Sequence, residues 1–223
     1  MSDSLICVLA KEPRPGFAKT RLSPPFTPAQ AAALAAASLA DTLEAVADTP
    51  VAYRVIALEG ASGEWIPDGF DVIAQPAGHL GHRLDAAVTA GFEQHPSGPV
   101  IVIGMDTPQV CPADLVAVAD LLTAEPEPGA EPADAVVGGT ADGGYWVIGF
   151  RRPVPGAFDG VPMSSSLTCA AQVTRLTELG CHVVPTAELV DVDDMASAGV
   201  VAAAATSTRF ARTFARIAGE LSR

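Results

Sequence analysis

The chain reads as an α/β protein with a mostly parallel mixed sheet flanked by helices. Three observations predict this. The short, continuous apolar runs Leu5–Leu9 and Pro99–Ile103 suit central parallel strands buried on both faces. Strand-like runs then alternate with helical patterns along the chain, as in a doubly wound sheet. Late in the chain, the runs Ala135–Gly139 and Tyr145–Phe150 are joined only by Thr140–Gly144, which adds a β-insertion.

The elements follow in order. After Leu5–Leu9 comes a cationic loop. Thr27-Pro28-Ala29-Gln30 is a capping box with proline at the first helical position, opening a helix to about Ala47. Val51–Leu58 and Phe70–Ala74 read as the second and third strands, and Gly78-His79-Leu80-Gly81 leads into a helix ending near Gln94. Pro99–Ile103 is the strongest strand and stops at Gly104-Met105-Asp106-Thr107-Pro108, before a helix over roughly Ala113–Leu122. Residues 124–133, rich in proline and glutamate, read as an exposed loop because strands resume at once. One domain over 1–223 is therefore expected. Ser164–Ser166 are expected to cap a helix through Leu179, His182–Val184 to form a last short strand, and Asp191–Asp194 to cap a helical C-terminus. There Phe210, Phe214, Ile217 and Leu221 form one apolar stripe, read as core or a homodimer face, with Arg209, Arg212 and Arg216 on a solvated face.

Composition excludes several classes. Across 223 residues the net charge is −13, which argues against binding to nucleic acid or to an anionic membrane surface. No apolar run reaches the ~18 residues of a membrane span, and the N-terminus lacks a secretory signal pattern. Cys7, Cys111, Cys169 and Cys181 are dispersed without a C-x-x-C pair. Reduced, mostly buried thiols in a cytoplasmic protein are expected.

Against this acidic background, lysine occurs only at Lys11 and Lys19, both in the loop after the first strand. With Arg14 and Arg21 they place four cations on a segment shaped by proline and glycine, which points to a polyanion. The loop lacks the Gly-Lys pair of a P-loop, and no G-x-G-x-x-G follows the strand. Phosphates gripped mainly by side-chain charge are the expectation.

Ligands of open α/β sheets bind outside the carboxyl ends of the strands, where both the loop and Asp106 fall. Asp106 reads as a ligand for Mg²⁺, or Mn²⁺ in its place, or else as a turn residue. Asp191 and Asp193 are candidates for a second carboxylate, or helix N-caps. Asp142-Gly143-Gly144-Tyr145 either lets backbone approach a ligand or makes an ordinary hairpin turn. His79 and His82 have no acidic or cysteine partner nearby, so no metal pair is expected there. No Gly-x-Ser-x-Gly elbow marks a nucleophile.

Taken together, Lys11-x-Pro13-x-x-Gly16-x-x-Lys19-Thr20-Arg21-Leu22, Gly78-His-Leu-Gly81-x-Arg83, Gly104-x-Asp106-x-Pro108, Asp142-Gly-Gly-Tyr145-x-x-Ile148-Gly149 and Asp191-Val-Asp193 resemble the DUF2064 family, in order and over nearly the whole chain. Its members are often labelled glycosyltransferases associated with arsenosugar or radical-enzyme clusters. The first segment, through Asp41-Thr42-Leu43, also resembles 2-phospholactate guanylyltransferase and, more distantly, the molybdenum-cofactor guanylyltransferases.

The resemblance implies the GT-A nucleotide-diphospho-sugar transferase fold. It implies nucleotide binding by Lys11, Pro13, Gly16, Lys19, Thr20, Arg21, Gly81 and Arg83, with Lys19, Arg21 and Asp106 catalytic. Asp106 and Asp193 would hold the metal. Asp142, Gly143, Gly144, Tyr145, Ser164 and Ser165 would bind the acceptor. One departure is that the family usually has Trp-Ser-Thr where this chain has Met163-Ser164-Ser165, which points to a different acceptor.

Two activities follow. A nucleotidyltransferase would move an NMP from an NTP to a phosphorylated or phosphonate small molecule and release pyrophosphate. A glycosyltransferase would use an NDP-sugar on a small-molecule acceptor. Four loop cations exceed what a diphosphate with its metal needs, which favours the first. A non-catalytic nucleotide-binding protein is the third reading.

Overall fold

A computed structural model describes residues 2–221 apart from 127, 128 and 130. Seven strands, β1 (Ser2–Lys11), β2 (Val51–Glu59), β3 (Asp71–Ala74), β4 (Val100–Gly104), β5 (Ala135–Gly139), β6 (Tyr145–Phe150) and β7 (Val183–Pro185), form one sheet ordered β3-β2-β1-β4-β6-β5-β7. All neighbours pair parallel except those of β6, which runs antiparallel between β4 and β5. The expected β-insertion is therefore the hairpin that inverts one strand within a parallel sheet.

Leu5–Val8 are fully buried and their side chains alternate between two cores, which explains the unbroken apolar run. Ile6 and Val8 meet α1 (Pro28–Asp48) and α3 (Pro112–Thr123) through Leu39, Leu43, Val46, Leu115 and Val118. Leu5 and Cys7 face α2 (Leu80–Gln94) and α4 (Thr168–Glu178) through Leu84, Val88, Phe92 and Leu176. Burial pushes the Cys7 thiol up to about 12. All four cysteines are free, but Cys111 is exposed, because it precedes α3 at the surface.

Helix starts follow the capping chemistry. Thr27 and Gln30 exchange side-chain-to-backbone bonds at 3.2 and 2.9 Å. His79 Nδ1 accepts from His82 N at 3.3 Å, so this histidine closes the first turn of α2. Asp194, rather than Asp191 or Asp193, caps α5 (Met195–Ala204) through Ser197. The expectation at Ser164–Ser166 needs correction. α4 begins at Thr168 with Leu167 as its N-cap residue, because Ser164 sits at φ +56 and cannot enter a right-handed helix.

The C-terminal helix α6 (Arg209–Leu221) packs on α1. Phe210 and Ile217 are fully buried against Leu34, Leu22 and Val201 with Phe214 partly buried beside them, so this part of the stripe belongs to the chain's own core, whereas Leu221 is exposed. Arg209 is also not simply solvated. It pairs with Asp41 and Glu44, while the Asp41 carboxylate accepts from Arg209 N and Phe210 N at 3.0 and 2.8 Å and caps α6. Part of the 124–133 loop lies outside the described residues. No described helix is long and apolar enough to cross a membrane.

Topology places the site. From β1 the chain steps outward to β2 and β3, then returns through α2 to β4 on the other side of β1. The strand order reverses between β1 and β4. A crevice opens at such a switch point, outside the carboxyl ends of the strands. Those ends carry Lys11 and Asp106.

Candidate active site

A cleft of about 490 Å³ lies at this switch point. One wall is the loop after β1. Gly16 turns it at φ +75, a conformation that suits a residue without a side chain. A one-turn 3₁₀ helix at Thr20–Leu22 ends it, with Leu22 buried as the anchor. Lys19 precedes that turn at φ +52, left-handed in a residue with a Cβ. Its side chain is only 9% exposed and is directed inward.

The Lys19 ammonium bonds to the Val192 carbonyl and lies 2.8 Å from Asp106 Oδ1 and 3.7 Å from Asp193 Oδ1. Arg21 pairs with the other Asp193 oxygen at 3.0 Å. The contact to Asp106 Oδ1 is ionic without hydrogen-bond geometry, so this buried oxygen has no hydrogen-bond donor among the described residues. The backbone here is held from both sides. Ser38 Oγ of α1 donates to Met105 O at 2.7 Å, and Val192 N donates to Asp106 O at 2.9 Å.

The other cations are also matched. Lys11 and Arg83 share Glu59, at 3.2 and 2.6 Å. Arg14 does not join the cleft. It pairs with Glu12 and lies over the Phe17 ring, 4.2 Å from its centroid. Arg83 of α2 takes the fourth place instead, so the cations lining the cleft are Lys11, Lys19, Arg21 and Arg83. Thr20 also lines it, whereas Pro13, Gly16 and Gly81 shape the backbone without lining it. A Cβ at Gly81 would come within 3.2 Å of both His79 Nδ1 and Met163 Cε.

The facing wall comes from the β5–β6 hairpin and the turn before α4. Asp142, Gly144, Tyr145, Ser164 and Ser165 line the cleft. Gly143 lies behind them at φ +90, where a Cβ would fall 2.0 Å from Ser166 O. Cys169 N donates to Gly143 O at 2.8 Å, so the glycine locks hairpin to turn. Gly143→Ala is expected to cost about 2–4 kcal/mol, from a strained φ plus a backbone clash, measured as a shift in urea unfolding. An unchanged midpoint would mean that the two segments do not touch.

Asp142, Asp191 and Asp193 bring carboxylate oxygens within 4.8 Å of one another. Burial, and then the Asp142 and Asp193 charges, push the Asp191 carboxyl up to about 6. The sequence reading paired Asp106 with Asp193. In the structure both flank Lys19, while Asp193 also belongs to the trio. Oxygen-only donors of this kind fit a hard divalent cation.

Sequence reasoning missed Glu59 and Gln75. Gln75 Nε2 donates to Ala10 O and Ala57 O, both at 2.8 Å, and joins the ends of β1 and β2 beneath the cleft. No local motif marks either residue, since their partners lie on other strands.

This sheet with its charged crevice is the GT-A-like fold of nucleotide-diphospho-sugar transferases. A Desulfovibrio desulfuricans G20 protein provisionally assigned as such a transferase is 26% identical, with a TM-score of 0.84 over 99% of this chain and 97% of that chain. CMP:2-keto-3-deoxy-manno-octonic acid synthetase, solved with CTP, shares the fold at 15% identity and a TM-score of 0.57, over 92% and 99% of the two chains. The 2-C-methyl-D-erythritol 4-phosphate cytidylyltransferase of Thermus thermophilus does so at 15% and 0.52, over 92% and 100%. A search of curated proteins found no match. The model of the family described as uncharacterized proteins conserved in bacteria, DUF2064, matches residues 38–165, more than half of the chain. The chain belongs to DUF2064.

Proposed function

We propose that this protein is a metal-dependent nucleotidyltransferase, moving an NMP from an NTP to a small-molecule acceptor with release of pyrophosphate. The observation that carries this reading is the Lys19 clamp, one ammonium set between the carboxylate after β4 and that of Asp193 in the segment before α5. Such an arrangement suits exchange, in which the lysine passes to a phosphate as the carboxylates turn to a cation. Asp106 and Asp193 would hold Mg²⁺, which when bound neutralises phosphate charge. The proteins similar in fold, a synthetase solved with CTP and a cytidylyltransferase, support the nucleotide class.

The chain's own residues position and neutralise. Lys19 and Arg21 face the polyphosphate from the loop, while Lys11 and Arg83 support it once released from Glu59. In the step itself, an acceptor oxygen bonds to the α-phosphorus as the bond from phosphorus to the bridging oxygen breaks. The electron pair leaves with pyrophosphate and the acceptor proton passes to water. Positioning and charge stabilisation suffice, and no protein nucleophile is required.

One observation favours sugar transfer from an NDP-sugar as a second reading. With the Asp106 and Asp193 carboxylates turned to a cation and Glu59 still holding Lys11 and Arg83, only Lys19 and Arg21 would be released, a complement suited to a diphosphate. A thermal-shift panel with Mg²⁺ separates the two. An NTP at ~100 times its dissociation constant is expected to add ~2.7 kcal/mol of stability, and turnover is expected to release pyrophosphate detectable with coupled pyrophosphatase. Stabilisation by an NDP-sugar and by no NTP would move the assignment to sugar transfer.

A further inference from the structure

We infer that the acceptor wall of the cleft takes an uncharged, hydroxyl-rich small molecule, not the phosphorylated acceptor that the sequence suggests. This rests on reading the cleft as a transferase site. The four cations lining the cleft all come from one side, Lys11 from the end of β1, Lys19 and Arg21 from the loop after it and Arg83 from α2. The hairpin and the turn before α4 contribute no cation to the lining among the described residues, and Asp142 adds negative charge there. Asp191, which follows the Thr140–Leu189 bridge, adds more. Once a nucleotide occupies Lys19 and Arg21 and its cation sits on Asp106 and Asp193, a second phosphate on this wall would meet Asp142 and Asp191 with no basic side chain beside them. Like charges so placed repel.

What the wall does offer is hydrogen bonding. The Ser164 and Ser166 hydroxyls line the cleft and have no protein partner among the described residues. Ser165 and Thr168 are used within the turn. Ser165 Oγ accepts from Leu167 N at 3.2 Å, and Thr168 Oγ1 donates to Pro162 O at 2.7 Å. Asp142 Oδ1 is held by Thr140 Oγ1 at 2.6 Å and Gly144 N at 2.9 Å, which fixes the carboxylate and leaves Oδ2 without a protein donor. Two free hydroxyls and one fixed acceptor oxygen match a vicinal set of alcohols, which donate and accept in turn. Beside them, Tyr145, Met163 and Leu80 present apolar surface suited to the C–H face of a polyol or sugar ring.

Saturation-transfer NMR on the full chain tests this with Mg²⁺ and a saturating NTP, so that the cations are already engaged. The probes are glycerol, ribose and glucose, set against glycerol 3-phosphate, ribose 5-phosphate and glucose 6-phosphate. At least one uncharged probe is expected to give signal, and the phosphate esters none. Ser164→Gly with Ser166→Ala is expected to reduce that signal by about tenfold or more, since glycine keeps the left-handed backbone while the hydroxyls are removed. The nucleotide-induced thermal shift, read on the same samples, reports whether the variant cleft is folded. Signal from the phosphate esters alone, or from neither set, with the nucleotide shift intact, overturns this inference and leaves the transferase reading standing. No shift with any NTP or NDP-sugar overturns the transferase reading itself.

Discussion

Asp106→Asn is expected to lower metal-dependent turnover by ~10²–10³-fold while leaving the fold intact. The substitution keeps the shape of the side chain and removes its charge. The backbone that positions it is independent of that charge, being held by Ser38 Oγ at Met105 O and by Val192 N at Asp106 O. Lys19 would keep Asp193 and the Val192 carbonyl as partners. Urea unfolding should therefore shift by less than about 1 kcal/mol, as for a partly exposed ion pair. Metal-dependent activity within about threefold of the parent would remove Asp106 from the metal site.

The second large effect is expected at Lys19. Lys19→Ala should weaken polyphosphate binding or transition-state stabilisation by ~2–4 kcal/mol, the loss of one preorganised charged donor. The structure adds a consequence that composition alone does not suggest. Without the ammonium, Asp106 loses its ion partner and Asp193 keeps only Arg21, beside Asp142 and Asp191. The variant should therefore gain more thermal stability from added Mg²⁺ than the parent does. Lys19→Arg should recover little, because a planar fork does not fit a side chain only 9% exposed and ringed by two carboxylates and a carbonyl. Full activity in the arginine variant, or equal Mg²⁺ stabilisation of parent and alanine variant, would show that Lys19 is not the clamp.

Much of the scaffold is legible locally. Leu5–Val8 reads as a strand buried on both faces because the apolar run is too short for a buried helix, and all four side chains are hidden. The Thr27/Gln30 box starts α1 where its chemistry places it. The serine run misled, since serines that usually cap a helix here shape a turn with Ser164 in the left-handed region. The roles of the arginines were legible only as charge. Arg14 and Arg83 exchange places in the cleft because a stacked Phe17 holds one away while α2 brings the other to Glu59.

By itself, then, the sequence determined the alternation of elements, the cationic segment at the end of β1 and the strand-end position of Asp106, although Lys11 proves to be the last residue of the strand and only Lys19 lies in the loop. These depend on side-chain periodicity and on turn chemistry within a few residues. Only the tertiary structure decided which charges meet. Lys19 and Asp193 are separated by 173 intervening positions and Asp106 by 86, yet all three converge because the strand order reverses between β1 and β4 and the chain after β7 returns across that gap. A contact of this kind is set by sheet order and by packing on both faces, and short-range patterns in the chain carry no record of it.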